Sequence, residues 1–220
     1  MAKKAKNYSE AELIKTFGLI RLMGNNAHPL MAEWTKTQTV LNEHEQYLFD
    51  IILKDAFDNI AGWNEETLKM NFISFVLKLG HIVSSPKYKT YFEETIEATI
   101  DGHFLKVKTD FMLAKGILDL PEAPYFHFQE YKKDKDPSGD PDAQLLEAFL
   151  IAQEKNKASN SEDSMPIYGC SIKGRRWEFF VMQEKTYCIS KVYESTEADS
   201  LLQIIAILRK FAEILETRLL

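Results

Sequence analysis

The sequence is poor in cysteine and has no long apolar run. Two of its 220 residues are cysteine, Cys170 and Cys188, which are too few for a four-thiolate zinc site or a disulfide framework, so we expect a reducing compartment. No stretch approaches the roughly 20 apolar residues that cross a bilayer. The basic start continues into Ser9, Glu10 and Glu12, where a secretory signal would need an apolar stretch. We therefore expect a cytoplasmic protein that does not engage a membrane.

An excess of positive charge is also missing. Lys+Arg 27 against Asp+Glu 33 gives 27 − 33 = −6, which favours solubility and argues against diffuse, basic attraction to nucleic acid. A local basic cleft remains compatible with this balance. The hydrophobic fraction of 45%, with 9 Gly and 7 Pro, is ordinary for a folded protein and excludes collagen-like and low-complexity classes. The length suits one compact domain with an extension.

Several familiar site motifs are incomplete. His44-Glu45 begins like a zinc-protease helix, but a leucine stands where the second histidine is required. The segment 169–174 has the glycine spacing of a phosphate loop, yet two arginines follow in place of Lys and Ser or Thr. No serine lies in a Gly-x-Ser-x-Gly elbow. The five histidines are scattered, and we interpret them as surface or packed residues.

The first quarter of the chain has helical patterns. Ser9 and Glu12 match a capping box, and apolar residues at helical spacing follow from Leu13 to Met23. A second helical stretch spans about 29–61, in one or two pieces. We therefore predict a helical N-terminal extension over residues 1–61 that serves as a cover or as a dimerisation surface, so that a homodimer through helical segments is an expected partner arrangement.

Residues 62–220 alternate between helical and strand patterns. Asp101-Gly102 is a strong hairpin dipeptide between two alternating stretches, and Asp140-Pro141 suits the start of a helix. The fold class predicted is α/β, a mixed central β-sheet flanked by helices. The predicted elements are a helix from Asn64 to Leu79, strands over 95–113 and 125–132, a helix after Asp140, strands over 167–172, 177–182 and 187–192, and a helix from about Thr196.

Asp110, Glu130 and Lys132 form the most informative constellation. Residues two apart in a strand share a face, so Glu130 and Lys132 lie side by side. If the strand with Asp110 pairs with theirs, two carboxylates can converge on one Mg²⁺, which prefers hard oxygen ligands. Such a cation activates water for phosphodiester cleavage, and a lysine stabilises the developing charge. An ordinary cross-strand ion pair has the same spacing, so the pattern alone leaves both interpretations open.

Three runs around these residues share their order with a known nuclease core, which consists of an Asp, a strand with Glu-x-Lys and a following helix. Residues 108–113, 124–132 and 140–146 together resemble the PD-(D/E)XK, or restriction-endonuclease-like, nuclease superfamily. Glu65–Ile73 and the segment 174–180 are similar to the first helix and later hairpin of a subset, the nuclease domain of type I restriction subunits. The resemblance covers roughly residues 62–194.

The resemblance implies a set of site residues and a cofactor, Mg²⁺ or Mn²⁺. The implied metal ligands are Asp110, Glu130 and the backbone carbonyl of Tyr131, with Lys132 as the catalytic lysine. An acidic residue of the first helix often completes such sites, and Glu65 is the expected one, with Glu66 as the fallback. The residues expected to contact nucleic acid are Gln144, Lys133, Lys135, Arg175 and Arg176, although each could equally be solvated.

Three functions therefore follow as hypotheses. The first is a Mg²⁺-dependent nuclease, with DNA as the expected substrate. The second is a nuclease-like module without turnover that binds nucleic acid or protein. The third is an unrelated α/β binding domain, in which Asp110, Glu130 and Lys132 would lie on separate surfaces. The acidic pair and its neighbouring lysine favour the first.

Overall fold

A computed structural model of the protein describes residues 8–118, 120–133, 140–159 and 165–220. In these ranges, one mixed β-sheet of eight strands is flanked by helices on both faces. The strands are β1 Ile20–Met23, β2 Lys89–Ile100, β3 His103–Ile117, β4 Leu120–Lys132, β5 Ile167–Lys173, β6 Arg176–Gln183, β7 Thr186–Ile189 and β8 Tyr193–Glu194. The helices are α1 Glu10–Phe17, α2 Pro29–Thr35, α3 Glu43–Asn59, α4 Glu65–Leu68, α5 Ser74–Leu79, α6 Pro141–Ala158 and α7 Ala198–Ile214.

The sheet order is β1-β7-β6-β5-β4-β3-β2, with β8 paired to β6. β2, β3 and β4 form an antiparallel meander, whereas β4 and β5 are parallel and are connected by α6. Two consecutive parallel strands require such a crossover, because the chain must return to the starting edge of the sheet before the second strand begins. The mixed sheet flanked by helices that the sequence predicts is therefore confirmed, as is the hairpin at Asp101-Gly102.

Each face of the sheet buries its own hydrophobic core. On one face, Trp34 of α2 and Phe211 of α7 are fully buried against β-strand residues such as Phe179. On the other face, α1 and α6 cover the sheet, with Leu13 and Phe149 in contact with that core. Since both faces are covered, the central strands are apolar on both sides.

The N-terminal helix is shorter than its periodicity predicts. α1 ends at Phe17, because Gly18 adopts a left-handed conformation with φ 67° and its N–H bonds to Ile14. The residues up to Met23 instead form β1, which pairs in parallel with β7. The prediction of a helix through Met23 was wrong, and the predicted N-terminal extension contributes a strand to the sheet.

Cys170 and Cys188 are buried as free thiols. Among the helices in the described ranges, none has the length and apolar character that a membrane span requires.

Candidate active site

The site lies where β3 and β4 separate. Their ladder reaches Phe111 and Gln129, and Asp110 and Glu130 occupy the next position along each strand. There, the Asp110 carboxylate accepts the backbone N–H of Tyr131 through Oδ2 at 2.7 Å. The side chain of Asp110 thus takes the place of a backbone acceptor, which fixes its carboxylate beside Glu130.

Glu130 is an almost completely buried carboxyl group. Its exposed fraction is 1%, and Oε1 has no hydrogen-bond partner among the residues that the structure describes. Burial raises the pKa of Glu130 well above its usual range; the adjacent Asp110 carboxylate raises it further, while Lys132 acts in the opposite direction. A buried oxygen without a partner is costly, so this position favours a cation or a proton.

Lys132 and Glu65 approach each other at the same end of β4. The distance from Lys132 Nζ to Glu65 Oε2 is 3.8 Å. Glu65 is the first residue of α4, whose start is fixed because Asn64 Oδ1 accepts the backbone N–H of Thr67 at 2.8 Å. Glu66, the fallback, is 79% exposed. The structure therefore brings Asp110, Glu130, Lys132 and Glu65 to the end of β4, beside the middle of β3.

Lys69 is a residue of this site that sequence reasoning missed. Its ammonium lies 2.7 Å from Glu93 Oε1, 2.9 Å from Glu65 Oε1 and 3.1 Å from Asp110 Oδ1. Burial acts to lower the pKa of Lys69, but these three carboxylates outweigh it and raise the pKa above its usual range. The available signal was its spacing of four from Glu65, which is also that of an ordinary helical ion pair.

Glu93 was missed as well. It lies on β2, between the pairs Phe92–Phe111 and Glu94–Thr109, and so opposite Asp110. Its φ of 57° is left-handed, a conformation that costs free energy in a residue other than glycine and is common at functional sites. Nothing in the local sequence marks this conformation.

The residues expected to contact nucleic acid are spread around this end of the sheet. Gln144, in the first turns of α6, has a buried Oε1 without a partner in the described ranges. Lys133 is exposed directly after Lys132. Lys135 lies outside the described residues, so its predicted contact stays a prediction.

The two arginines lie at the turn between β5 and β6. Arg176 is exposed, and its Nε is 3.3 Å from Glu194. Arg175 is partly buried, and its backbone carbonyl accepts the N–H and the hydroxyl of Ser195, at 2.8 and 3.0 Å. To contact nucleic acid, Arg176 would have to break its surface ion pair with Glu194. The backbone of Arg175 has a structural role through its bonds with Ser195.

The acidic groups of this site differ in how well they suit a divalent cation. Asp110 and Glu130 offer adjacent carboxylates, and the unpartnered Glu130 Oε1 supplies a free hard donor, which suits Mg²⁺ or Mn²⁺. Within the described ranges, no three acidic, histidine or cysteine side chains are arranged as a complete metal site. The Lys69 ammonium contacts Asp110 Oδ1 as well as the other two acidic groups, Glu65 and Glu93. The described residues therefore offer a cation two adjacent carboxyl groups, of which Asp110 is already bound to Lys69 Nζ and to the backbone N–H of Tyr131.

Comparison with protein-family models and with curated proteins finds no match to this chain. Its function is therefore inferred from the geometry of the acidic groups and lysines described above. The arrangement can hold a positive charge between β3 and β4 and can present an ammonium beside it.

Proposed function

We propose that the protein is a nuclease that hydrolyses phosphodiester bonds with Mg²⁺ or Mn²⁺, on a restriction-endonuclease-like core, with DNA as its expected substrate. The observation that carries this proposal is the convergence of Asp110, in the middle of β3, with Glu130 and Lys132 at the end of β4. The third hypothesis, in which these residues lie on separate surfaces, does not fit that geometry.

Asp110 and Glu130 would hold the cation, with the backbone carbonyl of Tyr131 as a further candidate ligand. When bound, the cation neutralises phosphate charge and lowers the pKa of a coordinated water. Lys132, with its side chain 20% exposed, donates to the phosphate or to the attacking water and stabilises the negative charge of the transition state. Glu65 is a positioning residue, because its carboxylate attracts the Lys132 ammonium.

The strand ends also supply positive charge for an anionic polymer. Lys132 and Lys173 are register partners on β4 and β5, so their side chains emerge next to each other on one face of the sheet. Lys133 follows on the exposed end of β4. Lys173 pairs with Asp142 at 2.8 Å, so Lys132 and Lys133 are the charges of this group that support an approach of nucleic acid despite the net charge of −6.

One observation favours the second hypothesis, a module that binds nucleic acid or protein without turnover. The Lys69 ammonium neutralises part of the acidic cluster, as expected for a cleft that holds no cation. The two functions differ in whether the cluster supports cleavage.

The test is a cleavage assay on end-labelled single- and double-stranded DNA and RNA, with Mg²⁺, with Mn²⁺ and with EDTA. We expect cleavage that requires the cation and that falls by about 10²-fold or more in Lys132→Met, because the loss of one donor to a transition state has this size. Lys157→Met is the matched control, since Lys157 is an exposed lysine at the far end of α6. Cation-dependent binding without cleavage would favour the second hypothesis, and cleavage in EDTA would contradict the first.

A further inference from the structure

The Lys69 ammonium is surrounded by acidic groups from three different elements. Glu65 comes from α4, Glu93 from β2 and Asp110 from β3, each with an oxygen within 3.1 Å of Nζ. The side chain of Lys69 is 15% exposed. An i,i+4 pair with Glu65 alone is an ordinary feature of a helix surface, whereas simultaneous contact with two strands is not.

The backbone is distorted on both sides of this contact. Lys69 is the first residue of a π-helical turn, Lys69–Ile73, which separates α4 from α5. π-helical turns are rare in proteins, and those that occur are often found at functional sites. Across the contact, Glu93 has its left-handed φ of 57°. Hydrogen bonds from Lys108 and Lys69 are the chief cause that lowers the pKa of Glu93, so the ionised carboxylate is favoured at this position.

A second observation shows that this ammonium does not satisfy the whole cluster. Glu130 adjoins Asp110, and 1% of its surface is exposed. Its Oε1 has no hydrogen-bond partner within the described part of the chain. In the described structure, Lys69 contacts Asp110 and forms no ion pair with Glu130. Lys69 therefore leaves the buried Glu130 Oε1 next to Asp110 unsatisfied, and a cation or a proton can satisfy it.

We propose that Lys69 is a tethered counter-ion that occupies part of the cation site in the cation-free protein and competes with the divalent cation for Asp110. This inference rests on the proposed function, because it assigns a role at the same site. Binding of the cation replaces the contact between Lys69 and Asp110, while Lys69 keeps its ion pair with Glu93. Glu93 is 46% exposed and also binds Lys108 at 2.6 Å, so it can hold the displaced ammonium at the edge of the site.

The affinity for the cation then depends on the replacement of the Lys69 ammonium at Asp110 as well as on the acidic groups. Without Lys69, four neighbouring carboxylates would repel one another. With it, the cation-free protein is stabilised, and the cation must displace an ammonium to bind. Removal of Lys69 should therefore tighten cation binding.

The experiment is a calorimetric titration of the full chain with Mn²⁺, after removal of metal ions, for wild type, Lys69→Met and Lys108→Met. We expect Lys69→Met to bind Mn²⁺ at least about tenfold more tightly than wild type, since a factor of ten corresponds to about 1.4 kcal/mol of competition. Lys108→Met makes the same change in net charge and also removes an ion pair of Glu93, but its ammonium is not bound to Asp110. Its affinity should stay close to that of wild type.

Each outcome separates this inference from the proposed function. Equal Mn²⁺ affinity in wild type and Lys69→Met, or an equal gain in Lys108→Met, overturns the role of Lys69 and leaves the cation site standing. Binding to Lys69→Met but not to wild type supports Lys69 as a competitor and contradicts a cation-dependent enzyme. Absence of binding to every folded variant overturns both.

A measurement on the wild-type lysine covers the case in which Lys69→Met does not fold. Lysines are labelled by reductive ¹³C-methylation, and the Lys69 signal is assigned by its absence in Lys69→Arg. We expect this signal to shift in a saturable way as Mg²⁺ is added, together with a smaller shift of Lys108. A Lys69 signal that stays unchanged at saturating Mg²⁺ overturns the inference.

Discussion

Glu147 allows a quantitative prediction on how the N-terminal segment is attached to α6. Its carboxyl group is 6% exposed and accepts the backbone N–H of Tyr8 at 3.1 Å. Burial raises the pKa of Glu147 from 4.5 to about 7, and the hydrogen bond from Tyr8 offsets part of this effect. The perturbation is Glu147→Gln, which keeps the shape of the side chain and removes the titration.

The magnitude follows from the difference between the two pKa values, 7 − 4.5 = 2.5 units. Because the folded protein holds a proton that the unfolded chain has released, folding binds a proton between about pH 4.5 and about pH 7. The free energy of unfolding therefore falls as the pH rises through this window. At about 1.4 kcal/mol per unit, the loss amounts to about 3 kcal/mol.

The assay is urea unfolding at about pH 4.5 and about pH 8. Glu147→Gln should resemble wild type at the lower pH and exceed its stability by up to about 3 kcal/mol at the higher pH. Glu154→Gln is the matched control, because Glu154 is exposed on the same helix, and it should follow wild type. The reasoning would be refuted if Glu147→Gln kept the pH dependence of wild type, or if Glu154→Gln removed it equally.

Two further predictions concern buried polar groups. Glu130→Gln should raise the free energy of unfolding by about 1 kcal/mol at a pH at which the buried carboxyl group of wild type ionises, because the amide can donate to Asp110 and cannot ionise. Mn²⁺ binding should be lost, and a variant that is less stable than wild type in urea unfolding at that pH would contradict this account. Asn156→Ala should destabilise the protein by about 3 kcal/mol. The side-chain amide of Asn156 accepts the N–H of Tyr125 at 2.8 Å and donates to the carbonyl of Tyr125 at 2.9 Å. Its removal leaves both backbone groups buried and unpaired. A fall of less than about 1 kcal/mol in urea unfolding would contradict that account.

Local signals predicted most of the fold. Asp101-Gly102 specifies its hairpin because both residues adopt positive φ, 49° and 82°, and Asp140 caps α6 through a bond to the backbone N–H of Ala143 at 3.1 Å. The interpretation was wrong between Gly18 and Met23, where apolar residues at helical spacing form β1. That strand depends on its pairing with β7, more than 160 residues later, which no local pattern contains.

In the candidate site, too, some residues were predicted from local patterns and others depend on tertiary contacts. The period of two along a strand predicted that Glu130 and Lys132 share a face, and the pairing of β3 with β4 brings Asp110 beside Glu130. Lys69 and Glu93 were missed because their roles arise from tertiary structure. Lys69 contacts residues 24 and 41 positions away, and one of these contacts joins it to Glu93 on β2.

The central claim is that Asp110, Glu130 and Lys132 act together on one phosphodiester bond. Its most direct test is the single-turnover rate at which a labelled DNA duplex is cleaved in saturating Mg²⁺ by wild type, Lys132→Met and Lys157→Met. The predicted result is cleavage by wild type and Lys157→Met at similar rates, with a loss of about 10²-fold or more in Lys132→Met. Cleavage by Lys132→Met at the rate of wild type would contradict the claim.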